Sequence, residues 1–138
     1  MYCHGAAEEL CDCEARLRVL AAAHRTDVAA LEYRGCGLCA NTASTSTSTS
    51  SGLPCAMMDA ARVVSHVLAC WDGPLVLYGV HTGAAVALHV ALAIAAAPEA
   101  DEPGTAAWRR RQLLAGVVCE QMLAVTEPLQ RTAACSGS

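Results

Sequence analysis

The sequence predicts an all-α protein, a small helical bundle wrapped around one hydrophobic central helix. Three observations predict it. Hydrophobic residues make up 54% of the 138 residues while aromatics make up only 4%, with no Phe. Alanine, the best helix former, supplies much of that apolar content, and the β-branched and aromatic residues that favour strands are scarce. Residues 75–97 carry no formal charge, as a helix enclosed on all sides would.

The elements follow in order. Leu10, Leu17, Leu20, Val28 and Leu31 recur at helical spacing among charges over 7–33, which predicts an amphipathic helix closed by Gly35 and Gly37. Residues 42–51, TASTSTSTSS, hold no Leu, Ile or Val and cannot offset the entropy of ordering. Val63, Val64, Val67 and Leu68 give 56–70 an apolar face, and Trp71-Asp72-Gly73-Pro74 is turn chemistry. The uncharged segment 75–97 is the central helix, closed by Pro98 and an acidic run to Glu102. A last helix over 105–126 carries Trp108, Leu113, Leu114, Val117, Val118, Met122 and Leu123, and Pro128 ends it. The organisation is an N-terminal amphipathic helical region (1–40), a disordered Ser/Thr-rich linker (41–54), a helical bundle (55–130) and a flexible tail (131–138).

The formal net charge of −4 argues against a nucleic-acid partner, which needs a basic footprint. Nine cysteines are an odd number, so a fully paired set is excluded. Glu8, Glu9, Asp12 and Glu14 stand where a secretory signal would be apolar. Free thiols in a reducing, intracellular compartment are the reading. Cys36 and Cys39 form a CxxC, two of the four ligands a structural zinc needs. A zinc-stabilised adaptor is therefore one alternative.

Gly79-Val80-His81-Thr82-Gly83 stands where a hydrolase spells its G-x-S-x-G nucleophile elbow, after an apolar run and before an Ala-rich stretch. His81 takes the nucleophile's position, and 138 residues are few for the sheet around such an elbow. The sequence is accordingly read as no enzyme. A run of 23 uncharged residues (75–97) is long enough to span a bilayer, although His81, His89, Gly79 and Gly83 interrupt it. A small membrane-associated protein anchored there is the other alternative.

Asp72-Gly73, Tyr78-Gly79, the small-residue run Gly83-Ala84-Ala85-Val86-Ala87-Leu88 and the closing Thr126-Glu127-Pro128-Leu129-Gln130 resemble the Bcl-like helical regulators, including their short viral members. The likeness covers about 70–130, and Val80 stands where the family carries an arginine. It implies a viral inhibitor of host apoptosis or innate signalling, cytoplasmic or at the mitochondrial membrane. Such a protein would bind a host partner, either a pro-apoptotic amphipathic helix or a signalling adaptor, in a groove between helices. On that reading Trp71, Asp72, Tyr78, Gly79 and His81 line the groove, and exposed residues of the first helix form a homodimer face.

Overall fold

Four parallel strands organise the described residues. The computed structural model describes residues 1–6, 8–37, 39, 52–98 and 102–121. Along the chain these form β1 (Tyr2–Cys3), α1 (Leu10–His24), β2 (Ala30–Leu31), α2 (Leu53–Cys70), β3 (Leu75–Val80), α3 (Thr82–Ala95), α4 (Ala106–Leu113) and β4 (Leu114–Glu120). The strands make one parallel sheet in the order β2-β1-β3-β4. The fold is mixed α/β. This overturns the all-α expectation, and the Bcl-like topology goes with it.

The decisive difference lies in 75–97. An apolar run cannot by itself be told from a buried strand followed by a helix. Leu75 and Leu77 are buried on one face of the sheet in a cluster with Ala60, Val64 and Leu68 of α2 and Val86, Ala87 and Val90 of α3. Val80 is buried on the other face with Tyr2 and Cys13, where Tyr78, Leu17 and Leu20 pack against them. That two-sided burial is what a parallel strand requires. The run then turns at His81, and α3 occupies only 14 residues. At 1.5 Å per residue that is about 21 Å, short of a hydrocarbon core of about 30 Å. The anchor expected over 75–97 is therefore not a single spanning helix. Among the described residues one helix, α2, is long and apolar enough to cross a membrane by length and composition, a test that core helices also pass.

Two other helices are shorter than their periodicity suggests. α1 stops at His24 because Arg25 takes the left-handed conformation (φ 49°, ψ 48°), and the chain then re-enters the sheet as β2. α4 opens on Thr105, whose hydroxyl accepts from the Trp108 N–H at 3.1 Å, and ends at Leu113. Val117 and Val118, β-branched and poorly suited to a helix interior, lie instead in β4 opposite Leu77 and Tyr78. Most of the proposed linker (41–54) and the whole tail (131–138) lie outside the described residues.

The layers follow from the crossovers. α1 covers one face of the sheet, and α2 and α3 cover the other. β1 and β3 are neighbours, yet the chain leaves β1 outward toward β2 and leaves β3 outward toward β4. Their carboxyl ends meet at this change of direction, the position at which open parallel sheets bind ligands.

Two glycines let α3 sit against the sheet. A Cβ on Gly79 would lie 2.3 Å from the Gly83 carbonyl oxygen, and one on Gly83 would lie 2.0 Å from that of Cys3. Both obstacles are backbone. Gly83→Ala is therefore expected to lower stability by about 2–3 kcal/mol or more, as overpacking does. Gly116→Ala meets nothing within 4 Å and should change it by less than about 1 kcal/mol. Urea denaturation of the two variants checks this, and equal effects would contradict the close approach.

Candidate functional site

The candidate site is built around the turn from β3 into α3. His81 is the connecting residue, with φ 52° and ψ −118°, a region that L residues occupy only at a cost of about 1–3 kcal/mol. Its backbone is held on both sides. The His81 N–H donates to the Glu120 carbonyl at 3.0 Å, and its own carbonyl accepts from the Ala84 N–H at 3.1 Å. The side chain is half-buried, with its ring beside Gly5 at the carboxyl end of the sheet. A strand, a residue of positive φ and a helix between two glycines that admit no Cβ make the geometry of a nucleophile elbow.

The loop after β1 forms the opposite wall. Gly5 is buried, and a Cβ there would lie 3.4 Å from the His81 Cβ. The Ala6 N–H donates to the Thr82 hydroxyl at 2.7 Å, and the Gly5 N–H donates to Glu8 Oε2 at 3.0 Å. Thr82 opens α3, so its N–H has no acceptor within the helix.

Behind the loop lies wholly buried His4. Its Nδ1 donates to the Gly5 carbonyl at 2.8 Å. Its Nε2 lies 3.0 Å from Glu32 Oε1, close in distance but off the line of a hydrogen bond. The ring packs on Tyr33 with centroids 4.4 Å apart. The second Glu32 oxygen accepts from the Leu10 N–H at 3.2 Å, so this carboxylate joins the loop after β1, the start of α1 and the end of β2.

On the α1 face Tyr2 stacks on Tyr78 with centroids 5.8 Å apart. Arg16 donates to the Tyr2 hydroxyl at 2.9 Å, and the Tyr78 hydroxyl donates to Glu120. Burial, partly offset by the Arg16 hydrogen bond, pushes the Tyr2 phenol up to about 12. The Glu120 carboxylate, with burial second, raises Tyr78.

Comparison with protein-family models, with curated proteins and with solved structures finds no match. The reading of the site therefore stands on its geometry.

The five residues expected to line one groove are not brought together. Tyr78, Gly79 and His81 lie toward the carboxyl end of β3. Trp71 caps α2 at the other end of that strand, and Asp72 pairs there with Arg109. Six residues of strand, roughly 20 Å, separate the two groups. Cys36 and Cys39 sit in the loop after β2. Among the described residues no three His, Cys, Asp or Glu side chains are placed to hold a metal ion. His4, Gly5 and Glu32 escape sequence reasoning because β1 and β2 have two residues each, too few to show a period.

Two outcomes test this geometry. His81→Gly removes the backbone strain at a cost of about 1 kcal/mol in chain entropy. It is expected to be as stable as the parent or up to about 2 kcal/mol more stable, whereas His81→Ala keeps the strain and gains nothing. Urea unfolding distinguishes the two, and a clear loss in His81→Gly would contradict the strain. The second outcome concerns pH. Folded Tyr2 keeps a proton that the unfolded chain releases near 10. The slope of stability with pH is therefore negative there. This contribution is fully present below pH 10 and falls away as pH rises toward about 12. Tyr2→Phe should flatten that alkaline loss in a series of denaturation curves.

Proposed function

We propose that this chain carries the elbow region of an α/β-hydrolase-type acyl-transfer site, with His81 in the nucleophile's place. The single observation that carries the reading is the backbone of His81, held at φ 52° and ψ −118° between two glycines that cannot bear a Cβ. Strain of this kind persists where the surrounding structure over-determines it, and it clusters at functional sites. The pairing of β1 with β3 supports the reading further, because it sets the His4–Gly5–Ala6 loop beside the elbow, where such folds place their second oxyanion donor.

The chemistry is that of an imidazole nucleophile. A ring nitrogen of His81 attacks the carbonyl carbon of an activated carboxylic ester, and the alcohol or phenol leaves with its bonding electrons. Water then cleaves the acyl-imidazole, giving the carboxylic acid and restoring the ring. The Thr82 N–H and the Ala6 N–H are the donors for the oxygen that becomes negative. Thr82 Oγ1 already occupies the Ala6 N–H. It marks where an acceptor oxygen sits, and it swings aside by rotation about χ1 when substrate takes its place.

The test is hydrolysis of p-nitrophenyl acetate by the parent, His81→Ala and His81→Asn. Both variants are expected to fall to the rate of buffer alone, because the attacking imidazole is gone, while remaining folded by circular dichroism. A rate in folded His81→Ala equal to that of the parent would overturn the proposal.

A further inference from the structure

The CxxC in the loop after β2 takes no part in the chemistry at His81. Its two cysteines are joined through their backbones. The Cys39 N–H donates to the Cys36 carbonyl at 2.8 Å, and the Gly35 N–H donates to the Cys39 carbonyl at 3.1 Å. A turn closed from residue i to i+3 brings its end Cα atoms within about 7 Å, and disulfides span about 4.4–6.8 Å between Cα atoms. Both cysteines are partly exposed, so a small thiol reagent can reach them.

The turn is also held from beneath. Gly37, between the cysteines, has φ +41°, and a Cβ there would lie 2.4 Å from Glu32 Oε2. The Glu32 side chain is 8% exposed, and its Oε2 accepts from the Leu10 N–H. Gly37 therefore lies directly against a carboxylate that is itself hydrogen-bonded to the start of α1.

We propose that Cys36 and Cys39 form a reversible thiol–disulfide couple, oxidised and reduced by small-molecule disulfides and thiols of the glutathione type. The thiolate of one cysteine attacks a sulfur of the external disulfide, releasing one small thiol and leaving a mixed disulfide. The second cysteine, as its thiolate, attacks the protein sulfur of that mixed disulfide and expels the second small thiol. The two protein thiols lose two electrons and two protons in all, and the external disulfide gains them. Burial first, and then Glu32, raises the Cys36 thiol above its usual range. Thiolate is consequently scarce at neutral pH, and the exchange accelerates as pH rises.

The experiment equilibrates the folded protein with defined ratios of oxidised and reduced glutathione, traps remaining thiols by alkylation and maps residues 35–62 by mass spectrometry. The parent is expected to show Cys36 and Cys39 joined, with two hydrogens lost and no glutathione retained on either. Cys39→Ser should instead hold glutathione on Cys36. Ring closure in the folded protein should exceed that of the same chain in concentrated urea by about tenfold or more, equivalent to about 30 mV for a two-electron couple. Closure no more favourable in the fold than in urea would overturn the proposal. So would a stable mixed disulfide on the parent's Cys36 or Cys39, or two thiols that stay reduced while Cys55 and Cys70 are oxidised.

Discussion

The structure depends on the approach of α3 to the strands at Gly79 and Gly83. With no side chain at either position, the first turn of the helix lies directly on the backbone of β3 and on the carbonyls that end β1. That approach fixes three things together. It sets the conformation of His81, the one residue that must connect strand to helix across so short a gap. It lets Val86, Ala87 and Val90 reach the core beside Leu77. It also brings the loop after β1 against the elbow, so that Gly5 and Ala6 face His81 and Thr82.

The polar groups around the turn are arranged about that constraint. His4 and Glu32 are buried at the ends of the two shortest strands, where apolar residues would pack more simply. Removing one member of such a pair leaves the other unpaired in a dry site. Through the Gly5 carbonyl and the Leu10 N–H they hold the loop that walls the elbow. On the opposite face the Tyr2–Tyr78 stack, with its Arg16 and Glu120 partners, closes the carboxyl edge of the sheet. A sheet of this type hosts many chemistries, and the functional reading belongs to the residues at this edge.

The sequence reveals its parts unevenly, for identifiable reasons. The 56–70 helix is legible because Val63, Val64, Val67 and Leu68 repeat at helical spacing, and it extends only slightly, to Leu53–Cys70. The strand hidden in 75–97 is not legible from charge or hydropathy, since a largely buried strand and a buried helix are equally apolar. Its β character rests on the alternate burial of Leu75 and Leu77, with Val76 exposed between them, a pattern only two residues deep. The elbow itself is spelled in the sequence. What argued against it was the identity of His81 and the length of the chain, and neither bears on whether the backbone turns there. The spacing of Gly79 and Gly83 does bear on it, because both positions exclude a Cβ.

On the proposed function, the fold makes His81 reactive toward activated carbonyls. The most direct measurement of that reactivity is the rate at which each histidine is acylated by diethyl pyrocarbonate in the folded protein, resolved by peptide mapping. His24, His66 and His89 are exposed and supply the internal standard. Half-buried His81 is expected to be modified faster than all three, with the difference disappearing in urea, where the turn and its N–H donors are lost. A folded His81 that reacts no faster than His24, His66 and His89 would contradict it.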